Sequence, residues 1–265
     1  MMLANRVAIV SGVGPGLGRD IALTLARHGA DVVLAARSEA QLAAVAEEVA
    51  ALGRAALAVT ADITRSEDCA RLIEQTLARF GRLDILINNA FFIGDMQPFE
   101  TTDIDTTWRQ VLDVNLLGYM RLSQAAIPAL KARGGSIVLI NSVSMCDYKP
   151  QRPPVVAYAS SKAGVASAAL YMAGELGRYD IRVNSVRPGY IDGEHLRAFL
   201  AAKAAQLGTT EQALVDEIIE RELALNFIPH SRDIADAVLF FASDLSRAVT
   251  GATLDVNAGE RIALQ

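Results

Sequence analysis

Short apolar runs alternate with longer amphipathic segments from one end of the chain to the other. The apolar runs are predicted strands: Arg6–Val10, Asp31–Ala35, Ala55–Thr60, Leu83–Asn88, Ser136–Ile140, Arg182–Val186 and Thr253–Val256. The segments between them repeat apolar residues with helical spacing, and the predicted helices are Leu17–His28, Glu39–Leu52, Ser66–Phe80, Thr107–Arg133, Ala157–Gly177 and Arg232–Ser243. Buried strands that alternate with helices are typical of a parallel sheet covered on both faces. The sequence therefore predicts an α/β fold, with one doubly wound domain over residues 1–265 and a seven-stranded parallel sheet.

Two segments interrupt this regular alternation. One is a proline-rich loop at Met145–Pro154, and the other is a helical insertion at Glu194–Phe227, within a region of about 190–227. Long excursions from a regular framework often carry function. We therefore expect these two segments to contact the substrate.

Composition excludes several classes of partner. The 265 residues carry 25 Lys and Arg against 30 Asp and Glu, a net charge of −5 with no basic run. This balance argues against binding to nucleic acid or to an anionic membrane surface, and no apolar stretch is long enough to span a bilayer. Cys69 and Cys146 lack metal-ligand spacing, so we expect no metal site and two free thiols in a reducing cytoplasm. Small molecules are the expected partners.

A glycine-rich turn follows the first predicted strand and leads directly into a helix. It reads Ser11-Gly12-Val13-Gly14-Pro15-Gly16-Leu17-Gly18. Glycines allow a tight turn and a close approach to a pyrophosphate, whose charge is favoured at a helix N-terminus. In this strand-turn-helix context the motif predicts a dinucleotide-binding Rossmann domain.

The end of the second strand bears on the choice of cofactor. An acidic residue there would bind the adenosine ribose of NAD, whereas an arginine suits the 2′-phosphate of NADP. The strand ends in Ala35-Ala36-Arg37. We therefore expect NADP in preference to NAD, with a simple solvated charge as the alternative interpretation of Arg37.

Further motifs follow the other predicted strands. They are Asp62 after the third strand, Asn88-Asn89-Ala90 after the fourth, Asn115 in the long helix, Ser142 after the fifth, Tyr158-x-x-x-Lys162, and Arg187-Pro188-Gly189 after the sixth. With the glycine turn, and in this order, they resemble the short-chain dehydrogenases/reductases over essentially the whole chain. Each motif alone is common, but the ordered set is very specific.

The resemblance implies roles for individual residues. The implied catalytic residues are Asn115, Ser142, Tyr158 and Lys162, with Asn115 holding a water that relays protons to Lys162. The implied and expected cofactor contacts are Ser11, Gly12, Gly16, Leu17, Gly18, Arg37, Asp62, Ile63, Asn89, Ala90, Tyr158, Lys162, Pro188, Gly189 and Ile191. It also implies a homotetramer, or a homodimer, formed through the long helices and the last strand.

Elementary chemistry supports the roles of Tyr158 and Lys162. Their spacing places both on one face of a helix, and an ammonium group beside a phenol lowers the phenol pKa from its ordinary value of about 10. Tyr158 is thus suited to act as general acid for ketone reduction and general base for alcohol oxidation. Ser142 would polarise the substrate oxygen, and Ser144 is the competing candidate for that role.

The chain departs from the usual family pattern near the expected substrate. Phe91 stands where the family usually has Gly, Asn141 precedes Ser142 in place of a second Ser, and Gly193 stands where many members have Thr. An apolar pocket is expected from Phe91, Phe92, Met96, Met145, Tyr148 and Tyr190, with Leu196, Phe199 and Leu200. Such a pocket favours a bulky secondary alcohol or ketone.

Two alternative functions remain open from the sequence. Lys149 and Arg152 in the proline-rich loop suit an acidic or thioester-linked substrate, as in the 3-oxoacyl reductases of the same family. A dinucleotide-binding protein without turnover is the less favoured possibility, because such proteins generally lose a catalytic residue. Enoyl reductases of the family are expected to have a longer spacing than Tyr158-x-x-x-Lys162.

Overall fold

The seven predicted strands form one parallel sheet in the computed structural model, which describes residues 1–150 and 152–262. The strands are β1 Val7–Ser11, β2 Asp31–Ala36, β3 Ala56–Thr60, β4 Ile85–Asn88, β5 Gly135–Ile140, β6 Ile181–Pro188 and β7 Thr253–Val256. Their order across the sheet is β3-β2-β1-β4-β5-β6-β7. The predicted doubly wound α/β fold is confirmed.

Helices cover both faces of the sheet. They are α1 Leu17–Arg27, α2 Glu39–Ala51, α3 Ser66–Phe80, α4 Arg109–Leu112, α5 Gly118–Leu130, α6 Val156–Leu176, α7 Glu194–Leu207, α8 Glu211–Glu222 and α9 Ser231–Ala242. Side chains of a strand point alternately to opposite faces, so Ala8 and Val10 of β1 pack with α1, α2 and α9. Val7 and Ile9 pack with α3, α5 and α6 on the other face. β1 is therefore apolar over most of its length because both of its faces are buried.

The long helix predicted at Thr107–Arg133 differs from the prediction in extent and regularity. Helical structure begins at Ile104 and ends at Leu130, and α4 lies between two π-helical turns at Ile104–Trp108 and Asp113–Leu117. Single π turns occur frequently at functional sites. The second π turn contains Asn115, which is fully buried.

The insertion between β6 and β7 forms the helix pair α7 and α8. It has a small apolar cluster of its own, made of Leu200, Ala204, Leu214, Val215, Ile218 and Ile228. The insertion thus packs as a separate layer beside the carboxyl end of the sheet. No helix in the described parts of the chain is long and apolar enough to cross a membrane.

The strand order reverses between β1 and β4, which are neighbours in the sheet although β2 and β3 come between them in the chain. Ser11 lies opposite Asn88 in this pairing. Ligands of open parallel sheets bind at the carboxyl ends of the strands where the order reverses. The fold therefore brings the glycine-rich turn and the Asn88-Asn89-Ala90 segment to the edge where a site is expected.

Candidate active site

Two adjoining cavities open at this edge of the sheet. The smaller has a volume of about 330 Å³ and the larger about 1000 Å³. Gly12, Gly14, Pro15 and Phe91 line both cavities. The glycine-rich turn therefore forms the boundary between the two halves of one long groove.

The glycine-rich turn leaves no room for side chains at two positions. Gly12 has φ +73°, and a Cβ atom there would lie 2.4 Å from the Cα atom of Ala90. A Cβ atom on Gly18 would lie 2.4 Å from the carbonyl oxygen of Gly12, which accepts a hydrogen bond of 2.8 Å from Asn89 Nδ2. The turn is therefore held directly against the segment that follows β4.

The same turn leaves space where a dinucleotide phosphate would lie. A Cβ atom on Gly16 would meet nothing within 4 Å, and no side chain caps the N-terminus of α1. Backbone N–H groups at an uncapped helix N-terminus are suited to bind an anion. The residues present thus fit the pyrophosphate of a nicotinamide dinucleotide.

Most of the expected cofactor contacts line the groove. The smaller cavity is lined by Gly12, Gly16, Leu17, Gly18, Asn89, Tyr158, Lys162, Pro188, Gly189 and Ile191, and the larger by Arg37, Asp62, Ile63 and Ala90. Ser11 lines neither cavity, and its contact with the cofactor stays a prediction. Its hydroxyl is fully buried in the sheet, donates to the carbonyl of Ile87 and accepts from the N–H of Asn89.

Arg37 lines the larger cavity together with Ser38 and Gln41. Its side chain is exposed, and within residues 1–150 and 152–262 it forms no ion pair. An unpaired guanidinium at the end of β2 is chemically suited to a phosphate group.

Ser142, Tyr158 and Lys162 lie together in the smaller cavity. Ser142 is the second residue after β5, whereas Tyr158 and Lys162 lie in the first two turns of α6. Ser144 does not line this cavity, although its hydroxyl is 3.2 Å from that of Ser142. The geometry therefore favours Ser142 over Ser144 as the serine that contacts a substrate.

Burial dominates the acid-base properties of this group. It raises the pKa of Tyr158 to about 12, while a hydrogen bond with Ser142 acts in the opposite direction. Burial also lowers the pKa of Lys162 to about 7. Desolvation thus favours the neutral form of both groups in the protein without a bound cofactor.

Asn115 does not contact Lys162 with its side chain. Its Nδ2 atom donates to the carbonyl of Phe92 at 2.8 Å and to Ser161 Oγ at 3.1 Å, and its Oδ1 atom accepts from the N–H of Phe92 at 2.8 Å. These bonds join the loop after β4 to α6. The amide side chain therefore holds the loop after β4 against α6, and the relay role implied by the family resemblance stays a prediction.

The expected apolar pocket is only partly assembled. Phe91 and Phe92 line the groove, and Leu196 lines the smaller cavity. The other six expected residues line neither cavity: Met96, Met145, Tyr148, Tyr190, Phe199 and Leu200. Tyr148 is 84% exposed, Met96 41% and Phe199 37%. Leu200 packs between α7 and α8. Sequence proximity to the site was therefore a poor guide to which apolar side chains face it.

Lys149 and Arg152 are neutralised by two carboxylates. Lys149 Nζ lies 3.0 Å from Glu222 Oε2, and Arg152 lies 2.6 Å from the same oxygen and 2.5 Å from Glu260 Oε1. We refer to these four residues as the buried ion cluster, because Glu260 is 1% exposed and Arg152 15% exposed. The cluster joins the proline-rich loop, α8 and the segment after β7.

Tyr190 and Gly189 complete this junction. The ring of Tyr190 stacks under the Arg152 guanidinium at 4.5 Å, and its hydroxyl bonds Glu222. The backbone N–H of Tyr190 donates to Glu260 Oε2, and a Cβ atom on Gly189 would lie 1.8 Å from that oxygen. Tyr190 lines neither cavity, because its side chain is held against Arg152 and Glu222 of the buried ion cluster.

Three residues at the site were missed by the sequence analysis. Glu194 and His195, at the start of α7, line both cavities opposite the glycine-rich turn. Tyr119 is fully buried and hydrogen-bonds Lys162. Its position one helical turn after Asn115 was a usable signal, because residues four apart share a helix face.

The chain is similar to known proteins over nearly its whole length. A family model described as enoyl-(acyl carrier protein) reductase matches residues 12–260. The trans-4-hydroxycyclohexanecarboxylate dehydrogenase of Sinomonas cyclohexanicum is 36% identical over 97% of this chain and 93% of its own. The 3-oxoacyl-[acyl-carrier-protein] reductase FabG of Staphylococcus epidermidis is 32% identical over 96% of this chain and 98% of its own. Carveol dehydrogenase from Mycobacterium avium, solved in complex with NAD, superposes with a TM-score of 0.90 at 30% identity over 98% of both chains.

Proposed function

Because the chain belongs to the short-chain dehydrogenase/reductase family, whose members use a nicotinamide cofactor, we propose that it interconverts an alicyclic secondary alcohol and its ketone. We further propose that NADP is preferred over NAD. The observation that carries the proposal is the meeting of Ser142, Tyr158 and Lys162 in one cavity beside the glycine-rich turn.

The residues of the chain bind, orient and exchange a proton. The cofactor, when bound, supplies the hydride chemistry at its nicotinamide ring. Ser142 donates a hydrogen bond to the substrate oxygen and Tyr158 exchanges the hydroxyl proton with it. Lys162 stabilises the phenolate form of Tyr158 by its positive charge. The family resemblance implies that Lys162 also binds the nicotinamide ribose.

Apolar side chains around these groups favour a substrate ring over an open polar chain. Phe91, Ile191 and Leu196 line the smaller cavity together with Tyr158. The named relatives include dehydrogenases of hydroxycyclohexanecarboxylate and of carveol. This combination supports a carbocyclic alcohol as the substrate class.

The buried ion cluster weighs against the alternative of a 3-oxoacyl-thioester substrate. Lys149 and Arg152 would have to bind an acidic carrier, but Glu222 and Glu260 already neutralise them. The similarity to a 3-oxoacyl reductase keeps this alternative as the second candidate. A binding protein without turnover is disfavoured because the serine, tyrosine and lysine are all retained.

A substrate screen tests the proposed function. We expect the purified protein to oxidise substituted cyclohexanols and to reduce the matching cyclohexanones, measured by the absorbance of the reduced nicotinamide with each cofactor. An acetoacetyl thioester is the comparison substrate. Faster turnover of the thioester than of every cyclic ketone would favour the alternative, and the absence of turnover on the whole panel would overturn an enzymatic role for this site.

The cofactor preference is tested by changing Arg37 to Ser. A charge-assisted contact to the 2′-phosphate contributes about 10- to 100-fold in affinity, so we expect kcat/KM with NADP to fall by that factor while kcat/KM with NAD changes little. Arg247→Ser is the matched control, because Arg247 is also exposed and lies at the opposite end of the sheet. Equal losses with both cofactors would contradict the assignment of Arg37.

Assembly and location follow the family resemblance. We propose a homotetramer or a homodimer, supported by the exposed apolar side chains of Leu170 and Tyr171 on α6 and of Leu254 on β7. Cys69 and Cys146 are both free thiols, which accords with a reducing cytoplasm.

A further inference from the structure

Lys162 carries its amine at the bottom of the active-site cavity without an acidic partner. The side chain is 1% exposed, and no salt bridge to it occurs in the described parts of the chain, residues 1–150 and 152–262. A buried ammonium group without a carboxylate must be stabilised by neutral acceptors or lose its proton. The partners of its three N–H donors therefore decide whether it stays charged.

Two protein acceptors lie within hydrogen-bond distance of this amine. The carbonyl oxygen of Ile140, the last residue of β5, lies 2.8 Å from Lys162 Nζ, and the hydroxyl of Tyr119 lies 3.2 Å from it. The Tyr119 hydroxyl in turn donates to the same carbonyl at 3.4 Å. Two of the three N–H donors are thus bound to protein, which leaves the third for the cavity.

The environment of Tyr119 keeps it a neutral phenol. Burial raises its pKa well above the ordinary value, and the nearby Tyr158 acts in the same direction. A neutral hydroxyl that donates to Ile140 must offer its oxygen lone pairs to Lys162. The ring of Tyr119 also lies 4.7 Å from Lys162 Nζ, a distance at which an aromatic face attracts a cation.

Asn115, in the second π turn, and Tyr119, at the start of α5, each form a hydrogen bond with a residue of α6. Asn115 bonds Ser161, and one turn later Tyr119 bonds Lys162. The first link fixes the backbone around the site, whereas the second reaches a group that acts on Tyr158. The link from Tyr119 is therefore the one with a direct effect on the chemistry.

We propose that Tyr119 is a positioning residue for the reaction: its hydroxyl holds the Lys162 ammonium charged and directed at the cavity, where it acts on Tyr158. The kinetic part of this inference rests on the proposed function, but the contact itself does not. Two titratable groups face the amine, Tyr119 from α5 and Tyr158 from α6, while β5 contributes only the carbonyl of Ile140.

Tyr119→Phe tests the proposal because it removes one oxygen and keeps the buried ring. The protonation of Lys162 is read from the ¹³Cε signal of lysine-labelled protein, in which only Lys131, Lys149, Lys162 and Lys203 contribute. We expect the titration midpoint of Lys162 to fall by about one pH unit, because a hydrogen bond to the charged form is lost. We also expect the acidic limb of kcat for alcohol oxidation to move to higher pH by a similar amount, because a less charged Lys162 stabilises the Tyr158 phenolate less, with a small change in the KM for the cofactor.

Tyr179→Phe is the matched control. Tyr179 lies after α6 and its ring is 3.9 Å from Lys131 Nζ at the surface, so this variant should alter the Lys131 signal and leave Lys162 unchanged. A second measurement needs no substitution. In tyrosine-labelled wild-type protein, the ¹³Cζ signal of Tyr119 should move with the titration midpoint of Lys162.

The outcomes separate this inference from the proposed function. The positioning role is overturned if the titration midpoint of Lys162 is unchanged in Tyr119→Phe. It is also overturned if the ¹³Cζ signal of Tyr119 does not change as Lys162 titrates. Neither result depends on which substrate the enzyme converts. If the substrate screen shows no turnover, the proposed function fails, and the two titrations still decide the role of Tyr119.

Discussion

Tyr158→Phe is expected to lower kcat by about three orders of magnitude, the middle of the range for loss of a general acid or base. The change removes only the hydroxyl that exchanges a proton with the substrate and leaves the ring between α6 and the cavity. Cofactor affinity should change less than about threefold, since the glycine-rich turn, Arg37 and Lys162 are untouched. The measurements are steady-state turnover of a cyclic alcohol and titration of NADPH fluorescence with the apo protein.

Tyr179→Phe serves as the control for this variant, because it removes the same atom from a tyrosine outside the groove. Its turnover should equal that of the wild type. Residual activity of Tyr158→Phe above about a tenth of the wild type would show that the proton comes from another group, and Ser142 would then be the first to test.

Arg152→Met is expected to lower the free energy of unfolding by about 3–5 kcal/mol at neutral pH, the cost of removing one partner from a buried ion pair. The variant leaves the nearly inaccessible carboxylate of Glu260 without its guanidinium partner and removes the stacking partner of Tyr190. Urea unfolding followed by circular dichroism measures the loss.

The effect should depend on pH in a defined direction. Burial raises the pKa of Glu222, but its bonds with Arg152 and Lys149 outweigh this and hold the pKa below the ordinary value. A lowered carboxylate pKa contributes stability above the unfolded-state value, and this contribution is lost as the pH falls through the folded-state value. The difference between Arg152→Met and the wild type should therefore shrink in acid.

Arg109→Met is the control for the ion cluster. Arg109 pairs with Asp105 at 3.0 Å on the surface, and both side chains are largely exposed. Such pairs contribute less than about 1 kcal/mol. Equal losses in the two arginine variants would mean that the buried ion cluster does not stabilise the fold more than a surface pair does.

Several features of the site could be predicted because the information is local. The glycine-rich turn is one continuous segment, and Tyr158 and Lys162 are spaced by one helical turn. The end of an apolar run predicts where a strand ends, and parallel strands bring their carboxyl ends to one edge of the sheet. The position of Ser142 just beyond the end of β5 is a prediction of this kind, and in the structure Ser142 lines the smaller cavity.

The contents of the substrate region could not be predicted in the same way. Tyr148 and Tyr190 carry aromatic rings as Phe91 does, yet Tyr148 is exposed and Tyr190 stacks on Arg152. Their directions depend on the loop and on the helices of the insertion, whose packing is set by contacts between segments distant in sequence. The role of Lys149 and Arg152 could not be predicted for the same reason, because their partners Glu222 and Glu260 lie far along the chain.

The sequence by itself determined the α/β architecture, and it predicted which edge of the sheet would bind a dinucleotide and which side chains would react, since periodicity and short motifs encode each of these. The tertiary structure alone decided that Asn115 clamps Phe92 and Ser161, that Tyr119 holds Lys162, and that Arg152 is neutralised. A hydrogen bond or ion pair forms only when the distance between its two atoms is correct to within a few tenths of an ångström. Such distances arise only when elements far apart in the chain pack together.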